Sequence, residues 1–485
     1  MNYAGQVSSS MSPNNYSEAI SLYQSRIEAE PSVMSNYWHL GLVLLLSGQE
    51  SEAQLTWLSA MAQGTAEETQ TMTVELGRVL SEAAQLQEQK DRWQSAWLIR
   101  CYIHEFIPED LNNLLALTWL SFQINLFEAE GEKLLPQIVY GLSFLKKGQE
   151  QSLNLDYLKQ VLKNLLLINP FCELFEVCLI KNEGISHHPI FAEIRDELAI
   201  TYSIVGVALN RQNLLSQSLP LFRKALQIQV NLSADNVARI YCNSGFTQIK
   251  LQQFNQAKKD LQKAIEADAQ NPDVIDSLNF LSYKISVQEK GYSFTSDWFS
   301  GNISVWQKCF QAFVDQPNLN FLEIGSWEGR STCWLLENIL THPSSKITCV
   351  DTFQGSFEHQ SYDTERINSL ENRFDFNTQR SGFAEKVEKI VGLSHQVLPT
   401  LPIDYYDLIY IDGSHLACDV LVDAVLSWRL AKVKGILVFD DYDFQFPEDP
   451  AQNTKIGIDG FINSFMPKVE IIHSGYQLIV KKIAV

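Results

Sequence analysis

Basic residues are in short supply: 37 lysines and arginines stand against 57 aspartates and glutamates in 485 residues, a formal net charge of −20. That balance excludes a whole-protein field able to gather phosphate backbone, so no nucleic-acid partner is expected. Cysteine is sparse too. The eight residues (Cys101, Cys172, Cys178, Cys242, Cys309, Cys333, Cys349, Cys418) are scattered without a CxxC pair, which excludes the disulfide framework of a small secreted domain and fits a cytoplasmic protein. Met1–Pro13 has neither the basic start nor the apolar run of a signal peptide. The longest apolar runs, such as Leu42–Leu46 and Leu165–Ile168, fall far short of the roughly 20 residues that cross a bilayer, so no membrane partner is expected either. What remains is an ordinary globular composition, 45% hydrophobic and 19% charged, in a chain too long for one core.

From Tyr16 to about Lys284 the apolar pattern is helical. Tyr37, Leu40, Gly41, Leu44, Ala53, Trp57 and Ala60 form one unit, with Ala19 placed 34 residues before Ala53. A second cluster reads Tyr202, Val205, Gly206, Leu209, Ser218, Phe222, Ala225, then Tyr241, Ser244, Gly245, Gln248, Ala257, Leu261, Ala264, with a period of 39. Small residues at these places let two antiparallel helices approach while aromatic rings fill the gap, a pattern that matches tetratricopeptide repeats. Trp93–Glu193 departs from the repeat, with breaks expected at Pro108, Pro136 and Pro170. The expected order is a flexible stretch 1–15, repeats over 16–130, a helical spacer over 131–190, repeats over 191–288 and a different domain over 289–485. The repeats would serve a protein partner or self-association.

After Gln288 strands alternate with helices, the signature of βαβ units and a parallel sheet. The expected strands are Asn320–Ile324, Lys346–Asp351, Val387–Val391, Leu408–Asp412, Gly435–Asp440, Val469–His473 and Tyr476–Lys481, the last two joined as a hairpin through Ser474 and Gly475. The first strand runs into Glu323-Ile-Gly325-Ser326-Trp327-Glu-Gly329-Arg-Ser331, followed by an apolar helix expected over Thr332–Leu340. Glycines there let the backbone turn sharply, and the helix start offers free N–H groups to an anion. The dinucleotide-fold spacing GxGxxG is absent. Four of the five expected central strands end in acids, Glu323, Asp351, Asp412 and Asp440 with Asp441, along the edge where open α/β sheets bind ligands.

Glu323–Ser331, Asp351, the run Gly392–Pro399 and Asp412 together resemble class I S-adenosylmethionine-dependent methyltransferases, and within them the metal-dependent small-molecule O-methyltransferases of the catechol O-methyltransferase type. The resemblance covers about 165 residues of the chain. It implies a multidomain protein in which tetratricopeptide-like helices precede an α/β Rossmann-like domain with a seven-stranded sheet whose last strand is antiparallel. It also implies that Gly325, Ser326 and Trp327 line the methionine end of S-adenosylmethionine, that Ser331 holds its carboxylate, that Asp351 accepts both ribose hydroxyls, and that Glu323, Gly329 and Asp412 belong to the same cofactor site. Ser394 and His395 would lie near the adenine, the histidine departing from the family pattern. Asp412, Asp440 and Asp441 would hold a divalent ion, Mg²⁺ best suiting oxygen ligands; the step of 28 residues from Asp412 to Asp440 fits that family. His415, with Asp412, would be the catalytic group, acting as general base on a hydroxyl of a small-molecule or sugar acceptor. Two other readings remain open: a protein methyltransferase whose repeats recruit the substrate, and an interaction scaffold with an inactive methyltransferase domain.

Overall fold

The computed structural model describes residues 16–145, 152–356, 359 and 363–485. The stretch expected to be flexible, 1–15, lies outside them, as do 146–151 of the spacer and part of the loop after Asp351. The chain divides into two compact units, Met1–Thr247 and Gln248–Val485.

The first unit is helical, and its hairpins show why small residues recur. Helices α1 (Tyr16–Ala29), α2 (Met34–Leu46) and α3 (Glu50–Met61) pack in sequence. A Cβ on Gly41 would lie 2.2 Å from the indole of Trp57, so only glycine lets that ring, fully buried, lie against α2. Trp57 Nε1 donates to Trp38 O at 3.2 Å. Further along, α4 (Ala66–Glu88), α5 (Trp93–Phe106) and α6 (Leu111–Gln123) continue the stack, with the turn carrying Pro108 between α5 and α6. Pro136, expected as a break, instead occupies the first turn of α7 (Leu135–Ser143), where its missing N–H costs nothing. After α8 (Leu155–Ile168), the pair α9 (Ala192–Arg211) and α10 (Leu215–Ile228) repeats the device: a Cβ on Gly206 would lie 2.7 Å from the Phe222 ring.

Helix α11 (Ala234–Lys250) crosses the boundary, and α12 (Phe254–Ala267) and α13 (Pro272–Lys290) belong to the second unit. Gly291, at φ 66°, ends α13 in a left-handed cap. After α14 (Ile303–Cys309) comes a seven-stranded sheet in the order β3-β2-β1-β4-β5-β7-β6. Its strands are β1 (Asn320–Ile324), β2 (Lys346–Asp351), β3 (Val387–Val391), β4 (Tyr406–Ile411), β5 (Ala431–Phe439), β6 (Val469–Ser474) and β7 (Leu478–Lys482). The pairs β1–β2, β1–β4, β2–β3 and β4–β5 are parallel, whereas β7 is antiparallel to both β5 and β6.

Alternation along the strands builds two cores. Phe321, Leu408, Tyr410, Ile436 and Val438 face one layer with Trp306, Trp334 and Phe374. Leu322, Ile324, Ile409, Ile411, Leu437 and Phe439 face the other with Val420, Trp428 and Phe461. Both faces are thus covered, as parallel sheets require. The helix after β1 begins earlier than expected, α15 being Arg330–Asn338, because Gly329 at φ 76° forms its cap. Three further helices matter below: α16 (Leu370–Ser381), α17 (Ala417–Leu430) and α18 (Thr454–Phe465). Among the described residues no helix is long and apolar enough to cross a membrane.

Candidate active site

The chain reversal at the carboxyl end of the sheet starts at β1, where Gly325 has φ 85°. A Cβ there would meet the carbonyl oxygen of Asp412 at 1.9 Å, so the loops after β1 and β4 touch backbone to backbone only because this residue is glycine. Asp412 N donates to Ile324 O at 2.8 Å and closes the contact.

Asp351 ties the loops after β1 and β2 together. Its Oδ2 accepts from Ser326 N (2.7 Å) and Trp327 N (2.8 Å), and its Oδ1 accepts from Phe353 N (2.6 Å). Trp327 (φ 49°) and Phe353 (φ 54°) are bulky residues in the left-handed region, each costing on the order of 1–3 kcal/mol unless the surroundings hold it there. The carboxylate supplies that hold. Backbone donors thus take up most of the accepting capacity of this carboxylate, which was expected to accept both ribose hydroxyls. Burial pushes the Asp351 carboxyl above its ordinary range, against the backbone donors that hold it down.

Glu323 and Ser331 face each other rather than a carboxylate. Glu323 is fully buried under α15, accepting from the hydroxyls of Ser331 and Thr332 and lying near the Cys349 thiol. Burial raises its pKa. The physical reason is strand alternation: residue 323 shares the face of Phe321, on which α15 packs. Ser331, expected to hold the methionine carboxylate, donates its hydroxyl proton to Glu323. Ser394 sits in a single helical turn after β3 and bonds the side chain of Asp423 on α17, while His395 beside it is exposed.

The acids after β4 and β5 have different partners, although Tyr410 OH donates to Asp412 Oδ2 at 2.8 Å as well as approaching Asp440. Asp440 is held by structure: Tyr410 OH lies 2.5 Å from its Oδ2, and Gln477 Nε2 donates to its Oδ1 at 2.9 Å. The same Gln477 accepts from Trp306 Nε1 at 2.7 Å. Asp441, at φ 54°, meets His415 Nε2 (2.8 Å from its Oδ2) and Tyr476 OH. His415 Nε2 is also 3.7 Å from Asp412 Oδ1. Among the described residues, Asp412, His415 and Asp441 bring one ligand atom each within 4.8 Å of one another. Of the expected trio of Asp412, Asp440 and Asp441, Asp412 and Asp441 fall in this group with His415, while Asp440 is hydrogen-bonded to Gln477 and shares the Tyr410 hydroxyl with Asp412.

Burial raises the Asp412 carboxyl well above its ordinary value, the charges of Asp440 and Asp441 adding to the shift and His415 opposing it. Burial and then Asp441 push Asp440 up to about 6. Crowded carboxylates shift this way when no cation neutralises them. Two carboxylate oxygens and an imidazole nitrogen facing one point form a donor set that fits a divalent ion. Phe444, 5.2 Å from the His415 ring centre, flanks the group.

Tyr410, Gln477 and Tyr476 were not singled out from the sequence. Tyr410 had a signal, since it lies two residues before Asp412 and shares its face. Gln477 and Tyr476 had one only in the hairpin that pairs with β5.

Residues 322–442 match the family described as a methyltransferase domain, and residues 238–271 match the tetratricopeptide repeat family. With the strand order and the antiparallel β7, the chain carries a methyltransferase domain on a Rossmann-like sheet, preceded by a tetratricopeptide repeat. No curated protein matches the chain. Similar solved structures include cofactor-bound Rv0187 from MTB, 16% identical over 43% of this chain and 91% of that one with TM-score 0.30. The O-methyltransferase TomG from Streptomyces achromogenes, involved in tomaymycin synthesis, is 15% identical over 42% and 90%, with TM-score 0.30. An O-methyltransferase from Bacillus cereus in complex with SAH is 15% identical over 42% and 91%, with TM-score 0.29. At such identity and overlap these likenesses bear on neither acceptor nor mechanism.

Proposed function

We propose that the second unit methylates a hydroxyl oxygen of a small molecule or sugar, with a divalent ion, Mg²⁺ by preference, held by Asp412, His415 and Asp441. The observation that carries this reading is the convergence of those three side chains beside the turn after β1, where Asp412 O packs against Gly325. S-adenosylmethionine supplies an electrophilic methyl on sulfonium, and a bound cation would lower the pKa of an acceptor hydroxyl and orient its oxygen.

The chain's own residues do the rest. Gly325 and Gly329 let the backbone after β1 turn sharply at the methionine end, Asp351 fixes Ser326 and Trp327, and Ser394 lies on the adenine side. Tyr410 and Gln477 lock Asp440 so that Asp441 and His415 point inward. His415 Nε2, expected as the base, lies in the ion-facing set, so ligand and base duties compete for one nitrogen. The helical repeats serve a protein partner or self-association.

The test is transfer of labelled methyl from S-adenosylmethionine, by the full chain, into a cell extract sorted into protein and small-molecule fractions. Label in the small-molecule fraction, lost on adding EDTA and restored by excess Mg²⁺, is expected. Label in protein alone supports substrate recruitment by the repeats and overturns the acceptor class; label indifferent to EDTA overturns the ion. A chain that binds cofactor but labels neither fraction fits the inactive scaffold.

A further inference from the structure

Arg330 opens α15, directly after the cap residue Gly329 and two residues before Thr332. Its side chain reaches the chain ahead of β1. Nε donates to Ser296 O at 3.0 Å and Nη1 to Tyr283 OH at 3.2 Å, while Asp297 Oδ2 lies 3.7 Å from Nη1. The guanidinium carbon also stands 4.2 Å from the centre of the Phe294 ring. This side chain is only 12% exposed, so its charge is largely desolvated and its partners are its solvent.

Two of those partners lead to α13, the helix that follows the residues matched to the tetratricopeptide repeat. Tyr283 is on α13 itself, and Asp297 is fixed by Lys284 from the same helix and by Ser300 Oγ at 2.7 Å. The cofactor loop is strapped to the same segment a second time: Glu328, almost fully buried, accepts from Thr295 N (2.7 Å), Thr295 Oγ1 (2.6 Å) and Arg373 Nε (2.7 Å). Trp298 packs on Trp327 with ring centres 5.6 Å apart. Residues 326–330 are thus gripped from outside the sheet by α13 and the segment 294–300.

We propose that Arg330 is a positioning residue through which α13 orients the first turn of α15 and so sets affinity for the cofactor. None of its polar contacts is to a residue that faces the ion group, so it acts on binding rather than on methyl transfer. The consequence is functional: whatever moves α13 changes cofactor occupancy. This inference rests on the reading that the cofactor binds at the turn after β1.

Tyr283→Phe deletes a single hydroxyl and Arg330→Gln removes the charge, both in the full chain. Hydrogen bonds to a charged group are stronger than those between neutral groups, and only part of that strength reaches the ligand. Titration with S-adenosylhomocysteine should show affinity weakened about fivefold in Tyr283→Phe and about thirtyfold in Arg330→Gln. The KM for S-adenosylmethionine should rise in parallel while kcat at saturation stays within about twofold, a split that loss of folded protein alone would not give. If Arg330→Gln does not fold, Tyr283→Phe decides. Wild-type affinity in both variants overturns the inference, as does a fall in kcat with KM unchanged; wild-type protein that binds no S-adenosylhomocysteine sinks the underlying reading, and this inference with it.

Discussion

Asp440 and Asp441 are neighbours in sequence with opposite assignments, and a left-handed φ of 54° at Asp441 makes the difference. An acid at a strand end is legible in a sequence; the direction its carboxylate takes is not, because it depends on Tyr410 and Gln477 arriving from other strands. Gly325→Ala would place a methyl 1.9 Å from Asp412 O at a positive φ. It should therefore abolish S-adenosylhomocysteine binding and cost on the order of 3 kcal/mol or more of stability in thermal denaturation. Retained binding with an unchanged melting temperature would contradict the close approach.

Asp423 offers a titration. It is 3% exposed, and burial raises its pKa from 3.8 to about 6, with the Ser394 hydrogen bond opposing the shift. A folded-state pKa above the unfolded one means that the native chain holds more protons between about pH 4 and 6, so stability falls as pH rises through that window. Asp423→Asn removes this loss. The variant should gain stability relative to wild type between pH 4 and pH 7, by at most roughly 3 kcal/mol from a two-unit shift. An identical difference at both pH values would show that Asp423 does not titrate there.

Elements were easier to read than side chains. All seven strands fall within a few residues of their expected bounds, since a buried parallel strand between turn residues leaves a short apolar run with β-branched residues. β5 starts earlier, at Ala431, because Lys434 at φ 73° and Gly435 carry an irregularity that the run of lysines and glycine disguised. In the helical unit the repeat was legible through Gly41 with Trp57 and Gly206 with Phe222. The middle was not: Phe127–Gly131 and Val177–Lys181 form wider turns of π type, which no periodicity announces. Trp57 is fully buried against α2, so Trp57→Ala should cost roughly 3–5 kcal/mol, measured by loss of the helical signal in urea. A cost below about 1 kcal/mol would mean that this hairpin does not carry the unit.

At the scale of the whole molecule, the compact units divide at Thr247 and Gln248, so α12 and α13 share a unit with the catalytic sheet. A fragment starting after α13 would lack Tyr283 and Lys284, which reach Arg330 and Asp297, and should bind cofactor more weakly than the full chain. The ion group makes a separate demand. Asp412→Asn and His415→Gln should each lower turnover at least a hundredfold while S-adenosylhomocysteine still binds, whereas Asp440→Asn should mainly lower stability by unsettling Tyr410 and Gln477. Equal losses of turnover in all three with no change in stability would restore Asp440 to the ligand set.

Everything proposed for the second unit requires a cofactor bound at the turn after β1, over a carboxylate that links two loops. Calorimetric titration of the full chain with S-adenosylhomocysteine tests it most directly, comparing wild type with Asp351→Ala. The expected result is one site per chain in the wild type and loss of binding in a variant that stays folded. A folded wild-type chain that takes up no ligand, or an Asp351→Ala chain that binds as well as wild type, would contradict it.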